Sequence, residues 1–311
     1  MIAVLAGGVG AARFLDGLVR VVDPSEVTAV VNTGDDLVLH GLAVCPDLDT
    51  VTYTLAGAVD PATGWGRAGE TFTAMEELDR FGAPTWFRLG DRDLATHLYR
   101  TGRLGEGATP SEVAGEIAAA WGVRSRLVPM TDDPVRTMVE LADGGEVDFQ
   151  EYFVHRRHAV AVKAVRFAGI EASRPAPGVL DALRSAELVV VAPSNPVVSI
   201  GPILAVPGVE SVLARRRGSV VAVSPIIAGK ALKGPAGRLL VELGGESSVV
   251  GVARLLAHVA GTLVVDEADA GLASDVESAG PRCVVAPAVM GTSELAADLA
   301  RVVLASTGGR R

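Results

Sequence analysis

Residues 2–18 read IAVLAGGVGAARFLDGL, and the fold class follows from how this stretch is parsed. Ile2–Ala6 is an unbroken apolar run that stops at Gly7-Gly8-Val9-Gly10. Residues 11–22 then carry apolar side chains at helical spacing. A buried strand, a glycine turn and an amphipathic helix together make the opening unit of a doubly wound α/β sheet. Glycines at that turn let backbone N–H groups approach a phosphate at the positive end of the helix, so Gly7, Gly8 and Gly10 are candidate phosphate-binding positions. The dinucleotide pattern G-x-G-x-x-G needs a glycine where Arg13 stands, and no G-K-[ST] follows, which weakens both NAD binding and a P-loop. The plain alternative is a tight strand–helix turn with no ligand.

The same alternation continues outward. Val27–Val31 is a second buried strand, and residues 188–192, Val220–Val223, Thr262–Val265 and residues 283–286 are later ones. Unbroken apolar runs fit parallel strands covered on both faces, and helical stretches lie between them. The expected fold is α/β: a Rossmann-like, doubly wound, mostly parallel sheet. Residues 64–157 read differently, as a largely helical insertion or lid over the sheet's C-terminal edge, with 111–121 the clearest helix behind the start signal Thr109-Pro110-Ser111-Glu112. The expected organisation is one domain over 1–311, with the core at about 1–63 and 158–311.

Composition narrows the function. The 311 residues carry 28 Lys+Arg against 37 Asp+Glu, a net charge of −9, with 49% apolar residues. That apolar content excludes a disordered chain, and the acid excess argues against capture of a nucleic-acid backbone. Cys45 and Cys283 are the only cysteines, too few for a disulfide framework or a Cys-rich zinc site, and both read as buried thiols. The N-terminus has no basic segment ahead of an apolar one, so no signal peptide is expected. Residues 249–265 are the longest apolar stretch, but Arg254 and His258 fall in its middle, so helix followed by strand is expected and not a membrane span. A soluble, cytoplasmic protein is the expectation.

Chemistry gathers at predicted strand ends. Asn32-Thr33-Gly34-Asp35-Asp36 ends the second strand, where open α/β sheets place their ligand crevice. Pro46-Asp47-Leu48-Asp49-Thr50 adds two carboxylates, either of which would serve as a helix N-cap. Four aspartates within fifteen residues, Asp35, Asp36, Asp47 and Asp49, suit Mg2+ held beside a diphosphate. Residues 87–97, FRLGDRDLATH, place two Arg, two Asp and His97 in one segment, suited either to phosphate or planar-ring contacts or to a helix-surface charge network. Ser194 and Asn195, in a loop fixed by Pro193 and Pro196, offer hydrogen bonds after a buried strand. Lys230 and Lys233 follow the next one, two of only three lysines in the chain. No G-x-S-x-G or H-E-x-x-H occurs, so serine hydrolase and zincin readings lack support.

Taken together, GGVGAARFLDGL, VVNTGDD, PDLDTVTYTLAG, LGDRDLATH, PMTDDPVRT, FQEYFV, PSNPVVSIGPIL, VSPIIAGKALKGPAG and VVDEAD resemble the 2-phospho-L-lactate transferase family of deazaflavin coenzyme F-420 biosynthesis. The resemblance implies transfer from a guanosine diphosphate conjugate to the terminal ribityl hydroxyl of the deazaflavin Fo, with GMP leaving and Mg2+ assisting. It implies that Asp49 and Arg88 contact Fo, and that Asp49 carries the catalytic role or binds Mg2+, with Asp35, Asp36 and Asp47 as further metal candidates. Gly7, Gly8, Gly10, Asn32, Ser194, Asn195 and Lys230 would then hold the nucleotide and phosphates. Family members usually have Gly where Ala228 stands. Bacterial members are thought to move an enolpyruvyl group, giving dehydro-F-420-0, and archaeal ones 2-phospho-L-lactate, giving F-420-0. The 25 Arg and 3 Lys suggest a GC-rich genome and a mycobacterial-type, phosphoenolpyruvate-donating member. A homodimer is the expected assembly.

A competing reading is a nucleotide-sugar-binding regulator of the gluconeogenesis-factor type, which shares the glycine-rich start and the double Asp. That group continues D-D-G-G-S-S-G, whereas this chain reads Asp35-Asp36-Leu37-Val38-Leu39-His40.

Overall fold

The computed structural model describes residues 1–231, 234 and 236–306. Lys233 and the Gly-Gly-Arg-Arg tail lie outside them. Seven strands form one sheet: Ile2–Ala6 (β1), Val27–Val31 (β2), Arg126–Pro129 (β3), Leu188–Val191 (β4), Val220–Val223 (β5), Thr262–Val265 (β6) and Arg282–Val285 (β7). Their spatial order is β7-β6-β5-β4-β1-β2-β3, and every neighbouring pair is parallel. This is the order of a doubly wound nucleotide-binding sheet. It reverses between β1 and β4, so the connections leave these strands in opposite directions and open a crevice beyond their C-terminal ends.

Both faces of β1, β2, β4, β5 and β6 are covered, which is why these strands read as unbroken apolar runs, while the edge strand β7 is half-buried to exposed. Along β1, Ala3 and Leu5 enter one core while Ile2, Val4 and Ala6 enter the other. Helices Val179–Ser185, Val209–Arg215 and Val249–Leu256 close the first core. Gly8–Leu18 (α1), Pro46–Leu55 (α2) and the C-terminal helix Ser293–Ser306 close the second. A fully buried side chain such as Phe14 or Leu183 contributes about 1.5–3 kcal/mol to holding these layers together. Residues 249–265 are helix followed by β6, and no single helix among the described residues is long and apolar enough to cross a membrane.

The segment 64–157 is only partly helical. Thr73–Arg80 (α3), Asp93–Gly105 (α4) and Pro110–Ala120 (α5) fill its first part. α5 begins with a complete Thr109/Glu112 capping box, the start signal visible in the sequence. Arg126–Pro129 then returns to the central sheet as its edge strand, so the core takes in residues that the sequence pattern assigned to the insertion. Arg136–Leu141 pairs with Glu146–Asp148 and Val162–Ala168 in a three-stranded antiparallel sheet. RLVP is too short to stand out as a strand between helices. Arg136–Leu141 alternates buried side chains with exposed or half-buried ones and so lacks the apolar run that marks the other strands.

Candidate active site

Beyond the C-terminal ends of β1, β2, β4 and β5 lies a cavity of about 600 Å³. Two loops are locked together at its floor. Gly8 has φ +70°, a left-handed conformation that favours glycine. A Cβ on Gly10 would lie 2.1 Å from the Pro193 carbonyl oxygen, so only glycine lets the β1 and β4 loops approach this closely. The Ser194 hydroxyl donates to the Gly7 carbonyl at 2.7 Å, and Asn195 Oδ1 accepts the N–H groups of Val197 and Val198 at 2.9 and 3.3 Å. These side chains therefore shape the crevice as well as line it. Gly7 at the N-cap has no side chain to cap α1, the Gly8 N–H is taken by the Asp47 carboxylate, and Val9 and Gly10 of the same first turn line the cavity.

Helix α2 brings two acids to the same place. Cys45 occupies its N-cap position and Pro46 its first turn, so neither Asp47 nor Asp49 is the cap. Both are buried within the first turn, where the helix dipole favours negative charge. Burial pushes Asp47 up to about 6, against the Asn32 amide, which donates to Asp47 Oδ2 at 2.9 Å, and the Gly8 backbone N–H. Burial, then the charge of Asp47, raises Asp35 well above the usual carboxylate range. Asp35 Oδ1 and the neighbouring Thr33 Oγ1 are buried without a hydrogen-bond partner. Burial also raises Asp36 to about 8, with a Cys45 hydrogen bond opposing it.

Asp49 sits in a buried polar network supplied by α4. Arg100 donates to both Asp49 oxygens, through Nη2 to Oδ1 and through Nη1 to Oδ2, the latter at 3.1 Å. His97 Nδ1 lies 3.8 Å from Asp49 Oδ2, and His97 Nε2 lies 3.3 Å from Asp93 Oδ2. Tyr53 donates its hydroxyl proton to Asp93 Oδ1 at 2.5 Å. Burial pushes Asp49 up from the ordinary range, with Arg100 and then His97 pulling it back. At Asp93 burial is the largest single influence and acts upward, yet the His97 and Tyr53 interactions together leave the carboxyl below its ordinary value.

Of the residues singled out by sequence, Gly7, Gly8, Gly10, Ser194 and Asn195 line one side of the cavity. Asp35, Asp47, Asp49 and Arg88 line another, with Arg88 exposed and its guanidinium 3.9 Å from the centre of the Phe72 ring. Asn32 stands behind Asp47 and orients it. Asp36 faces a separate cavity of about 250 Å³, divided from the first by Asp49 and Val44. Lys230 is exposed on the hairpin Ile226–Ile227/Lys230–Ala231 and does not line the crevice. Cys45 is buried and Cys283 half-buried.

Two donor sets bear on a metal. Asp49, Asp93 and His97 present ligand atoms within 4.8 Å of one another, an arrangement compatible with a divalent ion. That set includes an imidazole, and Asp49 already has Arg100 on both its oxygens. Asp35 and Asp47 offer only oxygens, repel each other, and include an oxygen without a partner. The all-oxygen chemistry of this second set suits Mg2+, which prefers hard oxygen donors, although Asn32 and the Gly8 N–H already donate to Asp47.

A family model described as 2-phospho-L-lactate transferase CofD matches residues 2–286. The chain belongs to this family. It is 47% identical over 311 residues to a phosphoenolpyruvate transferase of Streptomyces griseus, covering 97% of each chain. It is 45% identical over 278 residues to a 2-phospho-L-lactate transferase of Methanothermobacter thermautotrophicus, covering 89% of this chain and 88% of that one. Among solved structures, a UPF0052 family protein from Bacillus halodurans matches with a TM-score of 0.67 at 16% identity, over 97% of this chain and 99% of that one. That likeness concerns the fold alone.

Sequence reasoning missed Arg100, and it gave Asp93 and His97 no site role. The signal was present: Asp93, His97 and Arg100 fall at i, i+4 and i+7, one face of a helix. It also missed the stacked Phe149 and Phe153, 5.6 Å apart, on the opposite cavity wall. They lie in the FQEYFV segment that carried part of the family resemblance.

Proposed function

We propose that this CofD-family chain transfers the phosphoenolpyruvyl group of a guanosine diphosphate conjugate to the ribityl hydroxyl of Fo, giving dehydro-F-420-0, or the 2-phospho-L-lactyl group, giving F-420-0. The observation that carries the reading is one crevice lined together by the glycine turn that opens α1 and by Asp47, Asp49 and Arg88. Its near full-length similarity to a phosphoenolpyruvate transferase supports the enolpyruvyl version. In the reaction, the hydroxyl oxygen bonds to the phosphorus bearing the transferred group, the bridging P–O bond breaks, and GMP departs.

Phosphoryl transfer asks a protein mainly for positioning and charge stabilisation. Backbone N–H groups of the Gly7–Gly10 turn other than that of Gly8, which Asp47 accepts, bind the diphosphate, with the loop held in place by Ser194. Arg88 and Asp49 orient Fo, and Asp49 accepts the hydroxyl proton. Phe149 and Phe153 form an apolar wall that limits water. Asp35 and Asp47 would hold Mg2+, which supplies neutralisation of phosphate charge when bound. We assign the enzyme to the cytoplasm, as a homodimer.

Titration with Fo tests the reading directly, because deazaflavin fluorescence reports binding. Absence of binding, with or without guanosine nucleotide and Mg2+, would sink it. Incubation with Fo, Mg2+ and each synthesised conjugate then identifies the donor by product mass.

A further inference from the structure

Helix α4 is folded inside out. It buries Thr96, His97 and Arg100, half-buries Asp93, and exposes Leu98 at 60% and Tyr99 at 47%. Burying a guanidinium is costly unless every donor finds a partner, so an arginine left only 5% exposed demands an explanation. Its partner is the one carboxylate that the proposed function places against the acceptor hydroxyl. We infer that Arg100 is the positioning residue for Asp49: its two terminal nitrogens hold both carboxylate oxygens, fixing the plane in which Asp49 meets substrate.

The geometry favours orientation over simple neutralisation. A guanidinium fork matches the two oxygens of one carboxylate, which a point-charge ammonium cannot do. Arg100 is itself held, because Nη1 also donates to the Ala43 carbonyl at 3.2 Å and lies 3.2 Å from His97 Nδ1. α4 is fixed at its start by Glu70, whose carboxylate accepts the N–H groups of Arg92 and Asp93 at 2.8 Å each. A second link, Tyr53 to Asp93, ties the next turn of α2 to the first turn of α4. Asp49 and Tyr53 are thus joined to Arg100 and Asp93 in antiparallel register, and a rigid α2–α4 pair presents Asp49 to the cavity. This rests on the proposed function for what Asp49 does, but not for how Asp49 is held.

The experiment compares Arg100→Lys, Tyr53→Phe and Arg103→Lys. Arg103 lies on the same helix but binds Glu106 and Glu116 at the surface. Crystal structures report the Asp49 side chain whatever the substrate. A carboxylate turned from its present orientation in Arg100→Lys supports the inference, and an unmoved one overturns it. Kinetically, Arg100→Lys is expected to lower kcat about a hundred-fold with KM for the guanosine conjugate unchanged. Tyr53→Phe, which loosens the α2–α4 pair one turn away from Asp49, lowers kcat less than Arg100→Lys does, and Arg103→Lys changes neither kcat nor the unfolding temperature. Should Arg100→Lys fail to fold, Arg100→Gln is measured in an Asp49→Asn background, which removes both charges together. No further loss of kcat, or no further movement of residue 49, supports an action through Asp49, whereas a full additional loss overturns it. A wild-type enzyme inactive toward Fo, with Asp49 displaced in Arg100→Lys, would refute the proposed function and leave this inference standing.

Discussion

Gly10→Ala probes the crevice floor without reference to any ligand. The added Cβ would lie 2.1 Å from the Pro193 carbonyl oxygen. Ordinary carbon–oxygen contacts are about 3.3–3.6 Å, so the two loops must separate by about 1.2 Å or more. Neither side yields easily, since both contacts involve backbone. The helix carrying Gly10 is pinned by Ala11, Ala12, Phe14 and Leu15, all at 0% exposure. Overpacking of this kind costs about 1–3 kcal/mol, and a displacement of this size at the substrate floor is expected to lower turnover about a hundred-fold. Urea unfolding measures the first and the Fo transfer assay the second. Gly102→Ala is the control: Gly102 lies in α4, and a Cβ added there would meet nothing within 4 Å, so alanine should stabilise by about 0.5–1 kcal/mol. A Gly10→Ala protein with the wild-type urea midpoint and slope, and normal turnover, would refute the close-approach argument.

Asp49→Asn is expected to lower turnover by at least about a hundred-fold while circular dichroism stays native, because the amide cannot take a proton; near-normal turnover would move the role to Asp35 or Asp47, carboxylates lining the same crevice. Ala228 has φ +48° while its N–H is anchored to Asp269 at 2.9 Å, so Ala228→Gly should relieve about 1 kcal/mol and raise Tm by about 2 °C. An unchanged or lower Tm in calorimetry would contradict that account. Asp47 at about 6 and Asp36 at about 8 both stand above the ordinary 3.8, so the folded chain binds more protons than the unfolded chain in between. Their contribution to stability is therefore complete below about pH 4 and lost as pH rises through 6 and 8. Urea midpoints in chelator-treated protein should fall from pH 5 to pH 8, with a shallower fall in Asp36→Asn. A steady rise over that range is the contrary result.

Much of the architecture could be read directly. Two-sided burial writes itself into a chain as unbroken apolar strands, and β1, β2, β4, β5 and β6 were visible for that reason; β7 was visible by its apolar run although it is an exposed edge, and β3, four residues at the other edge, was not. The family resemblance put the glycine loop and residues 194 and 195 at one site, and the sheet brings them together because β1 and β4 are neighbours. Asp36 and Lys230 show the limit of that reasoning. Each follows a buried strand, yet one faces a second cavity and the other solvent, because a residue's place after a strand does not fix the direction of its side chain.

The doubly wound sheet, the glycine turn and the family were all legible in the chain alone, since each is carried by local pattern or by residue identity in order. Which face of α4 turns inward was not. Its sequence offers a polar stripe and an apolar one, and hydrophobicity alone would bury Leu98 and Tyr99. The opposite face is buried because Asp49, 51 residues earlier, and Tyr53 give Arg100 and Asp93 the partners that make a buried charge tolerable. Such compensation exists only once two distant helices are in contact, so no local pattern could have announced it.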